Sequence, residues 1–257
     1  MRVKIILFVI FFLLWESIAN ADVQERTPAI GSEKSFLYTV KKFGIPILRA
    51  IIKIENGSSE QGKPFYLIQA QVDSSNYLGL FLRMKNRFTS TIDGHTCSPV
   101  RYVKEIDQEG FMIENKNYLQ TLTFDYPNKR VVEERKGRSE RREISLPPDT
   151  YDPLSMFGRY YLKEELHPDQ DIRMSIYDGV KLRQMVFHSK KGRVKSKIFG
   201  EVEAICLESK TPFSTFGEKE GIIRIWYTTD GKRTPVSLEL DLPIGIVRFE
   251  LEEVKDG

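Results

Sequence analysis

The sequence predicts a mainly β protein: an antiparallel curved sheet, an open barrel or half-barrel, with one or two short helices. Three observations carry this. Apolar and polar residues alternate in short runs rich in aromatic and β-branched residues, broken by Gly, Pro, Asn or Asp about every ten residues. Asp230-Gly231 stands between two such runs, and Asp-Gly is a favoured two-residue hairpin turn. The final run alternates cleanly, with Val247, Phe249 and Leu251 on one face and Arg248, Glu250 and Glu252 on the other. A helix would scatter the same residues around a cylinder.

The first element is an address. Arg2 and Lys4 make a positive start, Ile5 to Trp15 is an unbroken apolar run, and Ala19-Asn20-Ala21 supplies the small residues of a cleavage site. The apolar run is about half of the ~20 residues that span a bilayer as a helix. Residues 1–21 therefore read as a secretory signal peptide cleaved after Ala21, and residues 22–257 as a single β-rich domain in the periplasm, not membrane-spanning after cleavage. The next residue is Asp22 rather than Cys, which closes the lipid-anchored route. Cleavage removes Arg2, Lys4 and Glu16 and lowers the formal charge of +3 by one.

In order, the strands read as Ser35–Lys42, Ile45–Glu55, Pro64–Val72, Asn86–Ile92, Pro99–Ile106, Phe111–Asn115, Tyr118–Tyr126, Arg130–Arg135, Asp171–Tyr177, Val180–His188, Val202–Leu207, Ile222–Thr229, Thr234–Asp241 and Ile246–Glu252. A two-residue turn at Asp230-Gly231 pairs Tyr227 with Thr234, Ile225 with Val236 and Ile223 with Leu238, and places Trp226 beside Pro235 on the other face. One helix starts at Asp152-Pro153, where Asp caps free N–H groups and Pro fits the first position. Leu154, Phe157 and Tyr161 then share a side. A weaker helical stretch covers Tyr77 to Met84. The run RKGRSERRE at 135–143 has no apolar residue and reads as a solvated hairpin tip rather than a phosphate-binding patch.

The search for chemistry returns little. With 39 basic against 36 acidic residues, the chain does not read as a nucleic-acid binder. A mean hydropathy of −0.35 excludes a polytopic membrane protein. There is no glycine-rich phosphate cradle and no G-x-S-x-G. Asp93, His95 and Cys97 lie close together, but three histidines in the chain offer no metal-ligand spacing, so no metal, cofactor or catalytic residue is predicted. Cys97 and Cys206 are either a disulfide, worth roughly 4–5 kcal/mol by closing so long a loop, or two separate buried thiols. Asp152 and Asp230 are explained as a cap and a turn. Phe157, Tyr160, Tyr161 and Trp226 are the candidate lining of a ligand groove.

The run Ile225-Trp226-Tyr227-Thr228-Thr229-Asp230-Gly231-Lys232-Arg233-Thr234-Pro235-Val236, followed by Gly245 and Leu251, resembles the closing motif of an exported bacterial family catalogued as domain of unknown function 3108. Tyr38 with Gly44-Ile45 is similar to the family's opening strand and turn. Asp152-Pro153-Leu154-Ser155 with Tyr160-Tyr161-Leu162 is similar to its central helix start. Lys163 stands where an Arg is usual, and the basic stretch before residue 143 is an insert. The resemblance runs from about residue 35 to 252. It implies an exported, β-rich protein with no assigned activity and no catalytic residues to carry over. Within the motif, Asp230 makes the turn, Pro235 packs beside Trp226, and Arg233 reaches over the sheet with its head in water.

Two functions follow as expectations. The preferred one is a non-enzymatic envelope protein whose groove takes an apolar, lipid or glycolipid ligand or an extended segment of an envelope partner protein, or which presents its own sheet edge to such a partner for strand addition. The alternative is a hydrolase of a cell-envelope glycan, resting on plentiful carboxylates and the Asp93–His95–Cys97 cluster. An unfilled apolar cavity inside the sheet decides for the first.

Overall fold

The structure is a computed structural model that describes residues 29–75, 82–110, 115–137, 141–213, 219–243 and 245–257. The predicted signal peptide, residues 1–21, lies outside the described residues, as do 111–114 of one predicted strand and 138–140 of the basic run. Most of the predicted Tyr77–Met84 helix also lies outside them, and Met84 at its end belongs to a strand. Among the described residues no helix is long and apolar enough to cross a membrane.

The fold is one large curved sheet. Its strands are β1 (Ala29–Lys42), β2 (Ile45–Ser58), β3 (Pro64–Ser74), β4 (Arg83–Asp93), β5 (Pro99–Glu109), β6 (Lys116–Asp125), β7 (Arg130–Arg135), β8 (Arg142–Ser145), β9 (Thr150–Tyr151), β10 (Asp171–Tyr177), β11 (Leu182–Ser196), β12 (Gly200–Phe213), β13 (Lys219–Thr228), β14 (Pro235–Leu242) and β15 (Gly245–Asp256). One helix, α1 (Pro153–Leu162), links β9 to β10. The sheet is two meanders sharing a seam. β1 to β8 form one arm, β15 back to β10 form the other, and β1 pairs with β15 at the centre. All neighbours are antiparallel except β9 and β10, whose parallel pairing needs the α1 crossover.

Because side chains alternate with period two, the register defines a single inner face. In the first arm Leu122 stands opposite Tyr102, Tyr102 opposite Ser90, Ser90 opposite Ile68 and Ile68 opposite Ile54. In the second, Val40 faces Phe249, Phe249 faces Leu238, Leu238 faces Ile225 and Ile225 faces Leu207. All of these except the buried Ser90 belong to one hydrophobic core.

Helix α1 lies inside this curve. Asp152 caps it: its carboxylate accepts from the Leu154 and Ser155 amides at 2.8 and 3.0 Å, and Ser155 Oγ accepts from the Asp152 N–H. The cap is anchored to the first arm, where Ser90 Oγ donates to Asp152 Oδ2 at 2.7 Å. The second arm holds the helix too, since Tyr227 Oη donates to the Phe157 carbonyl at 3.1 Å.

The free ends of the arms meet through side chains instead of a backbone ladder. Gln120 Nε2 donates to the Gly179 carbonyl at 2.8 Å, Tyr177 Oη to Glu133 at 3.1 Å, and Tyr126 Oη to the Thr150 carbonyl at 2.7 Å. The sheet is therefore curled but not closed.

Three details correct the sequence reading. The described flanks of the basic run pair with each other, and the strand on its far side, β8, is one the polar composition concealed. β11 runs on to Ser196 through a lysine-rich stretch. The turn between β13 and β14 is wider than two residues: Thr228 N–H donates to the Thr234 carbonyl at 3.0 Å, and Gly231 and Arg233 both take positive φ. Together with a bulge at Trp226/Tyr227, this moves Ile225 opposite Leu238, Ile223 opposite Leu240, and Trp226 opposite Ser237 rather than Pro235. Side chains that supported the predicted pairing stay inside all the same, because the slip away from the turn is an even number of residues.

Candidate functional site

The curled sheet does not fill its interior. A cavity of about 150 Å³ lies between α1 and the second arm. Ala50 and Ala70 on β2 and β3 leave the room, since larger residues at these inward positions would reach across it. Leu154, Met156 and Phe157 of α1 face Met185, Phe187, Ile225 and Leu238 from the other side. A mostly apolar space of this kind receives apolar groups.

One end of the wall is charged. Asp178, Lys181 and Arg183, from the turn between β10 and β11, line the cavity. Asp178 is almost fully buried, and its Oδ1 accepts from the Val180 and Lys181 amides at 2.8 Å each, which builds the turn. Its Oδ2 is buried with no hydrogen-bond partner among the described residues. Burial raises its pKa, and Lys104 opposes that shift. Lys104 is fully buried, and desolvation pushes its pKa down to about 8. Arg183 is buried, with Nε donating to the Pro212 carbonyl at 3.2 Å.

The predicted groove residues separate. Phe157 lines the cavity. Tyr160 is buried beneath the helix with its ring 6.4 Å from that of Tyr227. Tyr161 sits half-buried, edge-on to Phe36 at 5.1 Å. Trp226 lies on the opposite face of the sheet from Ile225, over Gly192, where an added Cβ would stand 3.1 Å from its ring. Pro235 does line the cavity, and its carbonyl accepts from Tyr38 Oη at 2.7 Å. Asp230 organises its loop by accepting from Thr228 Oγ1 and the Lys232 amide. Arg233 does not end in water: its guanidinium donates to the carbonyls of Lys163 and Leu162 at 3.0 and 3.2 Å, closing the C-terminus of α1.

The cysteines are not joined. Cys97 is buried in the turn between β4 and β5 at positive φ, near Lys163 and Arg159. Cys206 is buried on β12 opposite Trp226, near Lys190 and Glu208, and burial pushes its thiol up to about 12. In the Asp93–His95–Cys97 segment, Asp93 Oδ1 accepts from the His95 and Thr96 amides, so the carboxylate shapes the turn while His95 points to solvent. No group of three or more His, Cys, Asp or Glu that could hold a metal occurs among the described residues.

The sequence reading passed over Asp178, Lys181, Arg183 and Lys104, although signals existed. Asp178-Gly179 is, like Asp230-Gly231, an Asp-Gly between alternating runs. Lys104 falls in phase with Tyr102 and Ile106, and Arg183 with Met185 and Phe187. A charge in the apolar phase of a strand marks a buried polar site.

No curated protein matches the chain. The crystal structure of a beta-barrel-like protein of domain of unknown function DUF1849 from Brucella abortus is similar in fold, with a TM-score of 0.53 and 11% identity over 90% of this chain and 99% of that one. The family model described as protein of unknown function (DUF3108) matches residues 37–252, a span that holds the cap, the cavity wall and the Trp226–Val236 loop, and the chain belongs to that family.

Proposed function

We propose that this is a non-enzymatic periplasmic protein that binds the hydrocarbon part of a lipid-like molecule inside its curled sheet. The observation that carries the reading is the unfilled cavity between α1 and the second arm, walled by Ala50, Ala70, Leu154, Phe157, Ile225 and Leu238. Apolar ligands bind such spaces because their surface leaves water without a new cavity being opened in the protein. The amino-terminal pattern supports placement outside the cytoplasm, where acyl chains need shielding in transit.

Lipid extraction of protein purified from its host, followed by mass spectrometry, tests this. The wild type carries a stoichiometric amphiphile, whereas Ala70→Phe, which fills the cavity from β3, carries at least tenfold less while folding normally. Equal recovery from both proteins, or none from the wild type together with no binding of a polarity-sensitive naphthylamine dye, would overturn the reading.

A further inference from the structure

The ladder between β11 and β12 stops partway. Their backbones pair from Ser196 opposite Gly200 to His188 opposite Glu208, and no further among the described residues. Both strands nevertheless run on. β11 continues to Leu182 against β10, and β12 continues to Phe213 against β13. The sheet therefore splits beyond His188 and Glu208, leaving residues 182–187 and 209–213 as two lips without a ladder between them.

The sequence supplies a reason for the split. The N–H and C=O of one strand residue point to the same edge of the strand. Pro212 turns its carbonyl toward β11, where it accepts from Arg183 Nε at 3.2 Å. The N–H that would point the same way is missing, because proline has none. Carried past His188, the register would set Pro212 against Gln184, and there the ladder could not close.

The split lies over the cavity. Arg183, Met185 and Phe187 line the cavity from one lip, and Thr211 and Pro212 from the other. The junction of the two arms also lacks a ladder, but it is latched. There Lys104 and Gln120 hold the carbonyls of Asp178 and Gly179, and a Cβ added at Gly179 would stand 2.9 Å from the Gln120 amide.

We propose that the split between β11 and β12 is the entrance through which a ligand reaches the cavity, an inference that rests on the apolar-ligand reading above. The ends of the two strands bend apart, the apolar group passes between them, and the bond from Arg183 to Pro212 spans the lips again behind it. No ladder hydrogen bond between β11 and β12 has to open. Passage between laddered strands would instead break a row of backbone hydrogen bonds, each costly to leave unmade in the interior.

The test ties the lips together from outside. Val186 and Lys210 alternate with the inward Met185, Phe187 and Thr211, so they face outward on opposite lips, and neither lines the cavity. In a Val186→Cys, Lys210→Cys double variant the lips are bridged after folding, by oxidation to a disulfide or, where the sulfurs stand too far apart, by dibromobimane. Cys97 and Cys206 are buried and do not compete in the native protein. Stopped-flow mixing with the naphthylamine dye measures entry, and dilution of the loaded protein measures exit. Bridging slows both by about tenfold or more and leaves Kd nearly unchanged, since a closed entrance delays the ligand equally in both directions. Reduction of the disulfide restores both rates. Unchanged entry and exit in the bridged protein would overturn the entrance, and so would a weakened Kd with exit not slowed, which marks a distorted cavity instead. If the unbridged protein takes up no dye at all, the failure belongs to the cavity reading itself.

Discussion

Lys104 Nζ, on β5, donates a 2.9 Å hydrogen bond to the carbonyl of Asp178, 74 residues further along the chain and on the other arm of the sheet. With Gln120 to Gly179, this bond holds the β10–β11 turn against the first arm. The turn carries the charged wall of the cavity, so the same contact fixes both the curl and the site.

Lys104→Ala is expected to destabilise the fold by about 2–4 kcal/mol, since it leaves a buried carbonyl without its donor and opens a void. Limited proteolysis should then cut near Val180–Lys181 sooner than in the wild type. The pH dependence has a definite sign. Lys104 titrates near 8 in the fold against 10.5 for the free side chain, so between those values the unfolded chain binds more protons. Its contribution to stability therefore rises with pH across that window. Urea midpoints at pH 7.5, 9 and 10 in wild type and Lys104→Met measure it, and the rise should flatten in the variant.

Asp152 behaves in the opposite sense. Burial lifts its carboxyl to about 6 from 3.8, against the hydrogen bonds from Ser90 and the helix amides. The folded chain then holds the proton more tightly, so this contribution is full below about pH 4 and is lost as pH rises through about 6. Asp152→Asn keeps an acceptor for the helix amides without the charge and should flatten thermal stability between pH 4 and 7. Asp152→Ala should cost about 1–2 kcal/mol, as for other lost N-caps. Melting curves of the three proteins across this range distinguish the outcomes.

Gly158 sits in α1 where an added Cβ would meet Ile68 Cδ1 at 2.2 Å. Replacing a helical glycine with alanine usually stabilises by about 0.5–1 kcal/mol. Here Gly158→Ala should instead destabilise by about 1–3 kcal/mol through overpacking. Ile68→Val should be less harmful in the Gly158→Ala background than alone. A double-mutant cycle by urea denaturation reads this coupling, and additive effects would contradict the close approach.

Arg233 connects the β13–β14 loop to the end of α1 through two carbonyls. Arg233→Ala should lower stability by about 1–2 kcal/mol, with hydrogen exchange quickening selectively at the last turn of α1. Arg233→Lys should recover only part, because an ammonium cannot span both carbonyls in one plane. Uniform loss of protection across the sheet would speak against a capping role.

The two thiols should both react with a disulfide reagent after denaturation without reductant, and react slowly in the native protein. Burial and the raised pKa of Cys206 keep the thiolate scarce. Recovery of fewer than two thiols from the denatured chain would revive a bridge.

The amino-acid sequence by itself determined the strand content, the antiparallel meander, the Asp152-Pro153 helix start and the inward phase of residues such as Phe249 and Leu251. Those features are local: alternation, turn chemistry and capping are written within a few residues of where they act. Lys104, Asp178 and Arg183 follow the same local rules as inward-phase or turn positions, but which arm each would meet depends on how far the sheet curls. That curvature comes from the summed twist of the fifteen strands among the described residues and from α1 wedged between them, so only the tertiary structure could decide that Ala50 and Ala70 face empty space and that Arg233 ends on a helix rather than in water.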